Sequence, residues 1–311
     1  MEIKRDVLLK PLTTFKIGGR AKYFVEVEKR EDLKKAVLFA KEKKIPFFVL
    51  AGGSNVLVSD KGYRGLVIKM KNSKIEIREG KKILAEAGTP LVLLVREAIK
   101  NSLAGVEWAA GIPGTVGGAI FGNAGAFGFS TSDFLKLVEV FNLNDFSFKI
   151  LEKKDCRFGY RDSVFKKNKN LIIFSGIFEL KKGKQKEILK KKEEFLKIKK
   201  ETQELSFPSA GCVFKNYQGK IEDKNLLKEF PKLREFNKKG QIPAGFLIEA
   251  CGLKGKREGG IEISKKHANF FINLGNGKAK EVKKLIELSK QKVKEKFGIL
   301  LKEEILFLGD F

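Results

Sequence analysis

No stretch of this chain restricts its fold as tightly as residues 105–128, GVEWAAGIPGTVGGAIFGNAGAFG. Glycines stand at Gly105, Gly111, Gly114, Gly117, Gly118, Gly122, Gly125 and Gly128, and neither Lys nor Arg interrupts them. Glycine loses more backbone freedom on folding than any other residue, so this density needs a cause. Two causes are general: backbone at positive φ, and backbone that must come very close to something. A run of unpaired N–H groups can hold a pyrophosphate without side chains. The spacing rules out two familiar phosphate loops. Gly114, Gly117 and Gly118 read G-x-x-G-G, not the dinucleotide G-x-G-x-x-G, and no G-x-x-x-x-G-K-[ST] is present. A glycine-rich turn packed on a sheet would account for the same residues without any ligand.

A chain of 311 residues implies about two domains or one large α/β unit, and 42% hydrophobic residues suit a real core. Lys+Arg number 64 against Asp+Glu 38, a net charge of +26. That balance raises a nucleic-acid reading, but the lysines are spread through nearly every segment and mixed with Glu. No RNP, zinc-finger or helix-turn-helix signature accompanies them, so nucleic acid is not the expected partner. The same charge attracts small polyanions such as nucleotides. Cys156, Cys212 and Cys251 make no C-x-x-C and no disulfide framework. The one histidine, His267, excludes a His-rich metal site, and no metal is expected. No apolar leader opens the sequence, and no run reaches the roughly 18 apolar residues of a membrane span. The expected class is a soluble intracellular enzyme acting in the cytoplasm, away from membranes.

Taken in order, the pattern predicts a strand over Tyr23–Val27, then a helix on Leu33, Ala36, Val37 and Ala40 that stops before Pro46. A buried strand, Phe47–Leu50, runs into a second glycine turn at Gly52 and Gly53, where Ser54 and Asn55 could cap or bind a phosphate. Strands follow at Leu66–Met70, Lys74–Arg78 and Ile83–Ala87, and a helix from Pro90 to about Lys100. Strands return at Leu137–Asn142, Phe146–Leu151 and along LIIFSGIFEL. A Lys/Glu-rich helix over 184–203 presents Ile188, Phe195 and Ile198 as its inner face. Beyond residue 206 the last hundred residues read as a separate α+β domain. Its longest element is an amphipathic helix over 278–297 with Val282, Leu285, Ile286, Val293 and Phe297 on one stripe, stopped by Gly298.

Several motifs, in order, carry a resemblance: TTFKIGG (13–19), LAGGSNVLVSD (50–60), GIPGTVGGAIFGNAGAFG (111–128) and FGYRDSVF (158–165). PSAGCVFKN (208–216), IPAGFLIEACGLKG (242–255), HANFFIN (267–273) and EEILFLG (303–309) complete it. Together they resemble the UDP-N-acetylenolpyruvoylglucosamine reductase (MurB) family nearly end to end. The short span between FGYRDS and PSAG is similar to its shorter, second type. The resemblance implies an α+β fold, with a two-part FAD-binding domain of the vanillyl-alcohol-oxidase/PCMH type and a C-terminal α+β substrate-binding domain. The implied boundaries are 1–62 and 63–205 for the two FAD subdomains, the second joined by 300–311, and 206–299 for the substrate domain. It further implies a monomer with non-covalent FAD and NADPH as co-substrate. The activity implied is reduction of a UDP-sugar, UDP-N-acetylglucosamine enolpyruvate, to UDP-N-acetylmuramate for peptidoglycan, with hydride to C3 and a proton to C2. The alternatives are another FAD-dependent oxidoreductase of the same fold, or a basic nucleic-acid-binding protein.

By this resemblance Arg161 is the catalytic arginine, whose planar guanidinium can brace a developing enolate; the competing reading is a salt bridge to Asp162. Glu304 matches the catalytic glutamate, with Glu303 pointing to the opposite face of the strand. Cys212 stands where most members have the proton-donating serine. A thiol, with a pKa of about 8.5, is a much stronger acid than a hydroxyl, so the role survives the exchange. A small buried cysteine that only fills space is the alternative. The FAD-phosphate cradle is Gly52, Gly53, Ser54 and Asn55 with Gly114, Thr115, Gly117 and Gly118. Substrate contacts fall to Tyr160, Lys215, Asn216 and a phosphate-binding lysine at Lys200, or in the neighbouring register at Lys199.

Overall fold

The four apolar residues Phe47–Leu50, between Pro46 and the glycine turn, form a strand that pairs in parallel with Tyr63–Met70, Phe47 opposite Leu66 and Leu50 opposite Lys69. In this computed structural model, which describes residues 1–311, they form a four-stranded sheet ordered Lys4–Leu8, Arg20–Val27, Tyr63–Met70, Phe47–Leu50. The helix Arg30–Glu42 buries the stripe read from its spacing: Leu33, Ala36, Val37 and Ala40. A second sheet, of five strands, runs Ser147–Glu152, Leu135–Asn142, Leu171–Glu179, Lys82–Glu86, Ile75–Arg78, every neighbour antiparallel. The short helix Val116–Gly122 sits close to it because two glycines remove side chains from the contact. A Cβ at Gly117 would lie 2.8 Å from the Ala87 Cβ, and one at Gly176 would lie 2.7 Å from the Ile120 Cδ1. Residues of both sheets share one core, with Val25, Ile68, Ile83, Val116, Val138 and Phe174 among its members.

The chain divides into two compact units. The first comprises Met1–Val7, Ala21–Gly53 and Arg64–Glu201, which takes in parts of both expected FAD segments. The second comprises Leu8–Arg20, Ser54–Tyr63 and Thr202–Phe311. Two pieces of the expected 1–62 segment therefore belong with the last hundred residues, for identifiable reasons. Leu306–Leu308 pairs in parallel with Val56–Val58. Asn273 Nδ2 donates to the carbonyls of Phe15 (3.0 Å) and Lys16 (3.3 Å), and Thr14 Oγ1 to that of Ser209 (2.7 Å). Asp60 accepts from the first amides of the long helix, Ala279 (2.9 Å) and Lys280 (3.2 Å). The same strand pairing places 300–311 in this unit, where the motif order associates it with 63–205.

In the second unit the sheet runs Ser209–Cys212, Phe270–Asn273, Ile261–Ile263, Arg257–Glu258. Its long helix, Ala279–Phe297, buries Val282, Leu285, Ile286, Val293 and Phe297, each worth roughly 1.5–3 kcal/mol in apolar transfer. Gly298, at φ 69°, ends it. No helix is long and apolar enough to cross a membrane.

The helix Gln185–Thr202 departs from its expected inner face. Ile188 is buried, but Ile198 is 42% exposed and its neighbour Lys199 is 3% exposed. The buried lysine has a reason to turn inward. Its Nζ donates to the carbonyls of Trp108 (3.3 Å) and Ala110 (2.5 Å), which no helix or strand satisfies, and it lies 5.7 Å from the Phe127 ring centre.

Candidate active site

Two glycine turns far apart in sequence are brought into contact in the first unit. A Cβ on Gly52 would stand 2.6 Å from the Gly114 Cα, so only glycine fits there. Gly53 takes φ 66° and Gly114 φ 132°. The N–H groups of Gly52, Gly53, Gly114 and Thr115 donate to no main-chain carbonyl, whereas those of Val116 and Gly117 are committed to Thr89 and Ala87 at 2.9 Å. The Thr115 Oγ1 is buried without a hydrogen-bond partner. Four amides and one hydroxyl are thus left for an outside acceptor. Gly117 serves helix packing instead, and Gly118 stands against Ala51, where a Cβ would make ordinary contact at 3.4 Å.

The other half of the long glycine stretch holds Arg161. Gly159 and Asp162 exchange main-chain hydrogen bonds (3.0 and 3.2 Å), which makes Tyr160 and Arg161 the tip of a tight turn. Arg161 takes φ 52°, a conformation uncommon for a side chain larger than glycine. Asn123 Nδ2 donates to the Gly159 carbonyl (2.9 Å), and Arg161 Nη2 to the Gly125 carbonyl (2.8 Å). Lys166 Nζ caps the Arg161 carbonyl at 2.7 Å, and Asp162 pairs with Lys167 at 2.6 Å. The tyrosine at the tip is 39% exposed, with the guanidinium carbon 5.8 Å from its ring centre.

In the second unit Cys212 and Glu304 lie on neighbouring extended segments. Glu304 donates its N–H to the Val213 carbonyl (2.8 Å), Lys215 donates to that of Lys302 (2.8 Å), and Phe214 bridges Glu303 antiparallel. Cys212 ends the strand Ser209–Cys212 after a register shift, and Gly211 before it takes φ 72°. The irregularity makes Cys212 half-buried rather than part of the core. Glu303 turns to Lys290 (2.5 Å).

Two expected binders are employed elsewhere. Asn55 Nδ2 donates to the Glu304 carbonyl at 3.0 Å, and Asn55's own carbonyl accepts from Leu306 at 2.9 Å. Asn216 Oδ1 accepts from Ala244 N at 3.1 Å, the start of the helix Ala244–Ala250, and its Nδ2 faces Gln241 Oε1 at 3.4 Å. Lys215 beside it is half-buried, and so is Ser54; Lys200 is exposed, while Lys199 is the buried one. Burial lowers the Lys199 ammonium pKa to about 8.

Sequence reasoning missed Asn269. Buried at 1% exposure, it accepts from Phe214 N (2.9 Å) and donates to Phe214 O (2.8 Å) through its side chain, while its carbonyl accepts from Val213 N (2.8 Å). One residue fixes both sides of the segment after Cys212. Its own N–H donates to His267 Nδ1 at 3.3 Å; burial lowers the His267 pKa, which favours the neutral acceptor form. The only hint was the HANFFIN string, which carries no spacing that distinguishes Asn269 from a strand residue.

Comparison with known proteins now assigns the parts. Residues 21–145 match the family model of an FAD binding domain, and residues 203–308 match that of the UDP-N-acetylenolpyruvoylglucosamine reductase C-terminal domain. An FAD-dependent oxidoreductase of α+β architecture is the class they define. The UDP-N-acetylenolpyruvoylglucosamine reductase of Caldicellulosiruptor bescii is 43% identical over 318 residues, covering 100% of this chain and 92% of the relative. That of Caldanaerobacter subterraneus is 40% identical, covering 97% and 92%. The crystal structure of the Thermus caldophilus enzyme superposes with a TM-score of 0.79 at 35% identity, covering 99% of both chains. The chain belongs to the UDP-N-acetylenolpyruvoylglucosamine reductase family, whose reaction belongs to peptidoglycan-precursor synthesis. Its cofactor is FAD, and the cradle fits a dinucleotide: four unpaired amides and the unpartnered Thr115 hydroxyl meet at a place where side chains are excluded.

Proposed function

We propose that this enzyme takes hydride from NADPH and delivers it to C3 of the enolpyruvyl group of UDP-N-acetylglucosamine enolpyruvate, with a proton added at C2, to give UDP-N-acetylmuramate. Bound FAD supplies the hydride chemistry. The amides of Gly52, Gly53, Gly114 and Thr115 and the Thr115 hydroxyl hold its diphosphate, with Gly118 beside them.

Hydride addition at C3 pushes electron density into C2 and the carboxylate. Arg161 braces that charge: its left-handed turn, tied at Asn123 and Gly125, fixes a planar cation before the reaction begins. Cys212 then gives its Sγ proton to C2, and the resulting thiolate regains a proton from solvent. Glu304, on the segment bonded to Val213, supports the proton's return to Cys212. Tyr160 and Lys215 contact the sugar nucleotide, Asn216 shapes its floor, and the exposed Lys200 supplies positive charge for the UDP phosphates. The protein acts as a cytoplasmic monomer with a small-molecule substrate, binding neither nucleic acid nor membrane.

The observation that carries this reading is the main-chain pairing that places the Cys212 and Glu304 segments side by side. An anaerobic visible spectrum tests the whole. Flavin absorbance should bleach with NADPH and return when UDP-N-acetylglucosamine enolpyruvate is added. Bleaching without recovery would remove the substrate assignment, and a protein that cannot be loaded with FAD would remove the cradle.

A further inference from the structure

Lys69 stands in the strand Tyr63–Met70, opposite Leu50. A charged residue in that strand is out of place, since Leu66, Val67, Ile68 and Met70 are all at most 2% exposed. Its Nζ reaches past the strand end and donates to the carbonyl of Ala51, the residue immediately before Gly52. No carboxylate forms a salt bridge with it; burial and Lys71 push its pKa down, against a smaller opposing pull from Glu26. A partly desolvated ammonium with no carboxylate in direct contact is costly unless something else offsets it.

The peptide between Ala51 and Gly52 is trans. Its carbonyl and the Gly52 N–H therefore point in opposite directions. With the carbonyl drawn toward Lys69, the Gly52 N–H is turned away from the lysine. That N–H donates to no main-chain group, and Gly52 is the residue packed on Gly114. We infer that Lys69 is a cofactor-binding determinant that sets the peptide orientation of the Gly52–Gly53 loop and gives it the positive charge that a dinucleotide diphosphate requires. The inference rests on the FAD reading above. It adds a residue that lies nearly twenty positions from the glycine turn and carries no phosphate-loop signature. Acting through the loop, the diphosphate supplies the close negative charge that no carboxylate in direct contact gives Lys69.

The test is equilibrium binding of FAD to flavin-free protein, read by isothermal titration calorimetry, for wild type, Lys69→Met and Lys69→Arg, with ADP and riboflavin as separate probes. Lys69→Met should weaken FAD and ADP at least tenfold each and leave riboflavin, which has no diphosphate, unchanged. Lys69→Arg should recover most of the loss, since it restores both donor and charge. Equal FAD affinity for wild type and Lys69→Met overturns the inference, and so does a loss that extends equally to riboflavin. Should Lys69→Met fail to fold by circular dichroism, Lys69→Gln serves: it can still donate but is uncharged, and wild-type ADP affinity in it overturns the role of the charge. Failure of the wild-type protein to bind FAD or ADP would strike the flavin reading itself, a different outcome from any of these.

Discussion

Asn55 donates its side-chain amide to the main-chain carbonyl of Glu304 at 3.0 Å, across 249 residues of sequence. The Glu304 N–H is bound in turn to Val213 at 2.8 Å, so the glutamate's backbone is held on both sides. A residue read from its glycine turn as a phosphate ligand is therefore positioned to orient the segment that carries Glu304. Asn55→Ala should lower kcat about five- to tenfold, one net hydrogen bond or roughly 1 kcal/mol, while the FAD dissociation constant moves by less than about twofold. A large loss of FAD affinity with kcat intact would return Asn55 to the cradle.

Cys212 gives a sharper test because a thiol can be alkylated. Iodoacetamide should inactivate the enzyme, and bound UDP-sugar should slow the inactivation. Cys212→Ala should leave flavin reduction by NADPH unchanged and cut reoxidation by the enolpyruvyl substrate by about 10²–10⁴, the usual range for losing a general acid. Stopped-flow absorbance separates the two half-reactions. Unimpaired reoxidation in the alanine variant would leave Cys212 a space-filling residue.

The elements that could be read from sequence were those with a strong local period. Phe47–Leu50 and the stripe of Ala279–Phe297 were both visible, because flanking Pro and Gly punctuate runs whose apolar spacing is unambiguous. Family motifs likewise marked the order of the site residues. What stayed hidden depends on partners distant in the chain. Helical spacing assigned Ile198 inward, but the two unsatisfied carbonyls at Trp108 and Ala110 draw Lys199 there instead. Glycine density suggested phosphate contact for Gly117, whereas its N–H bonds Ala87 and its missing Cβ makes room for the Ala87 side chain. Asn216 reads as a polar residue after the donor strand, and only the fold shows it bonded to the start of another helix.

Lys199 predicts a pH dependence of stability. Its folded pKa lies near 8, below the ordinary 10.5, because burial disfavours the charged form. Below pH 8 the amine is protonated in both folded and unfolded states, and the burial penalty is fully felt. Between about 8 and 10.5 the unfolded chain holds the proton longer, so the stability of the wild type rises with pH. Urea unfolding of wild type against Lys199→Met should show the wild type gaining on the variant across that window by about 2–3 kcal/mol. Parallel curves for the two proteins would mean that the Lys199 amine titrates normally in the fold.

Glu303 and Glu304 are adjacent carboxylates on one extended segment, and they should separate cleanly. Successive side chains of such a segment face opposite ways. Glu303 is occupied by Lys290 at 2.5 Å, with the two side chains 26% and 28% exposed. An ion pair that open to solvent contributes at most about 1 kcal/mol, so Glu303→Gln should cost no more than that in urea unfolding and leave kcat near wild type. The Glu304 backbone is clamped between Asn55 and Val213 beside the Cys212 segment. Rigid placement of the chain there matters only if the side chain it carries has a fixed task. Glu304→Gln keeps the shape and removes the charge, and it should lower kcat about 10²–10³ with little change in stability. Equal losses in the two variants would indicate that the segment, rather than the Glu304 carboxylate, is what turnover requires.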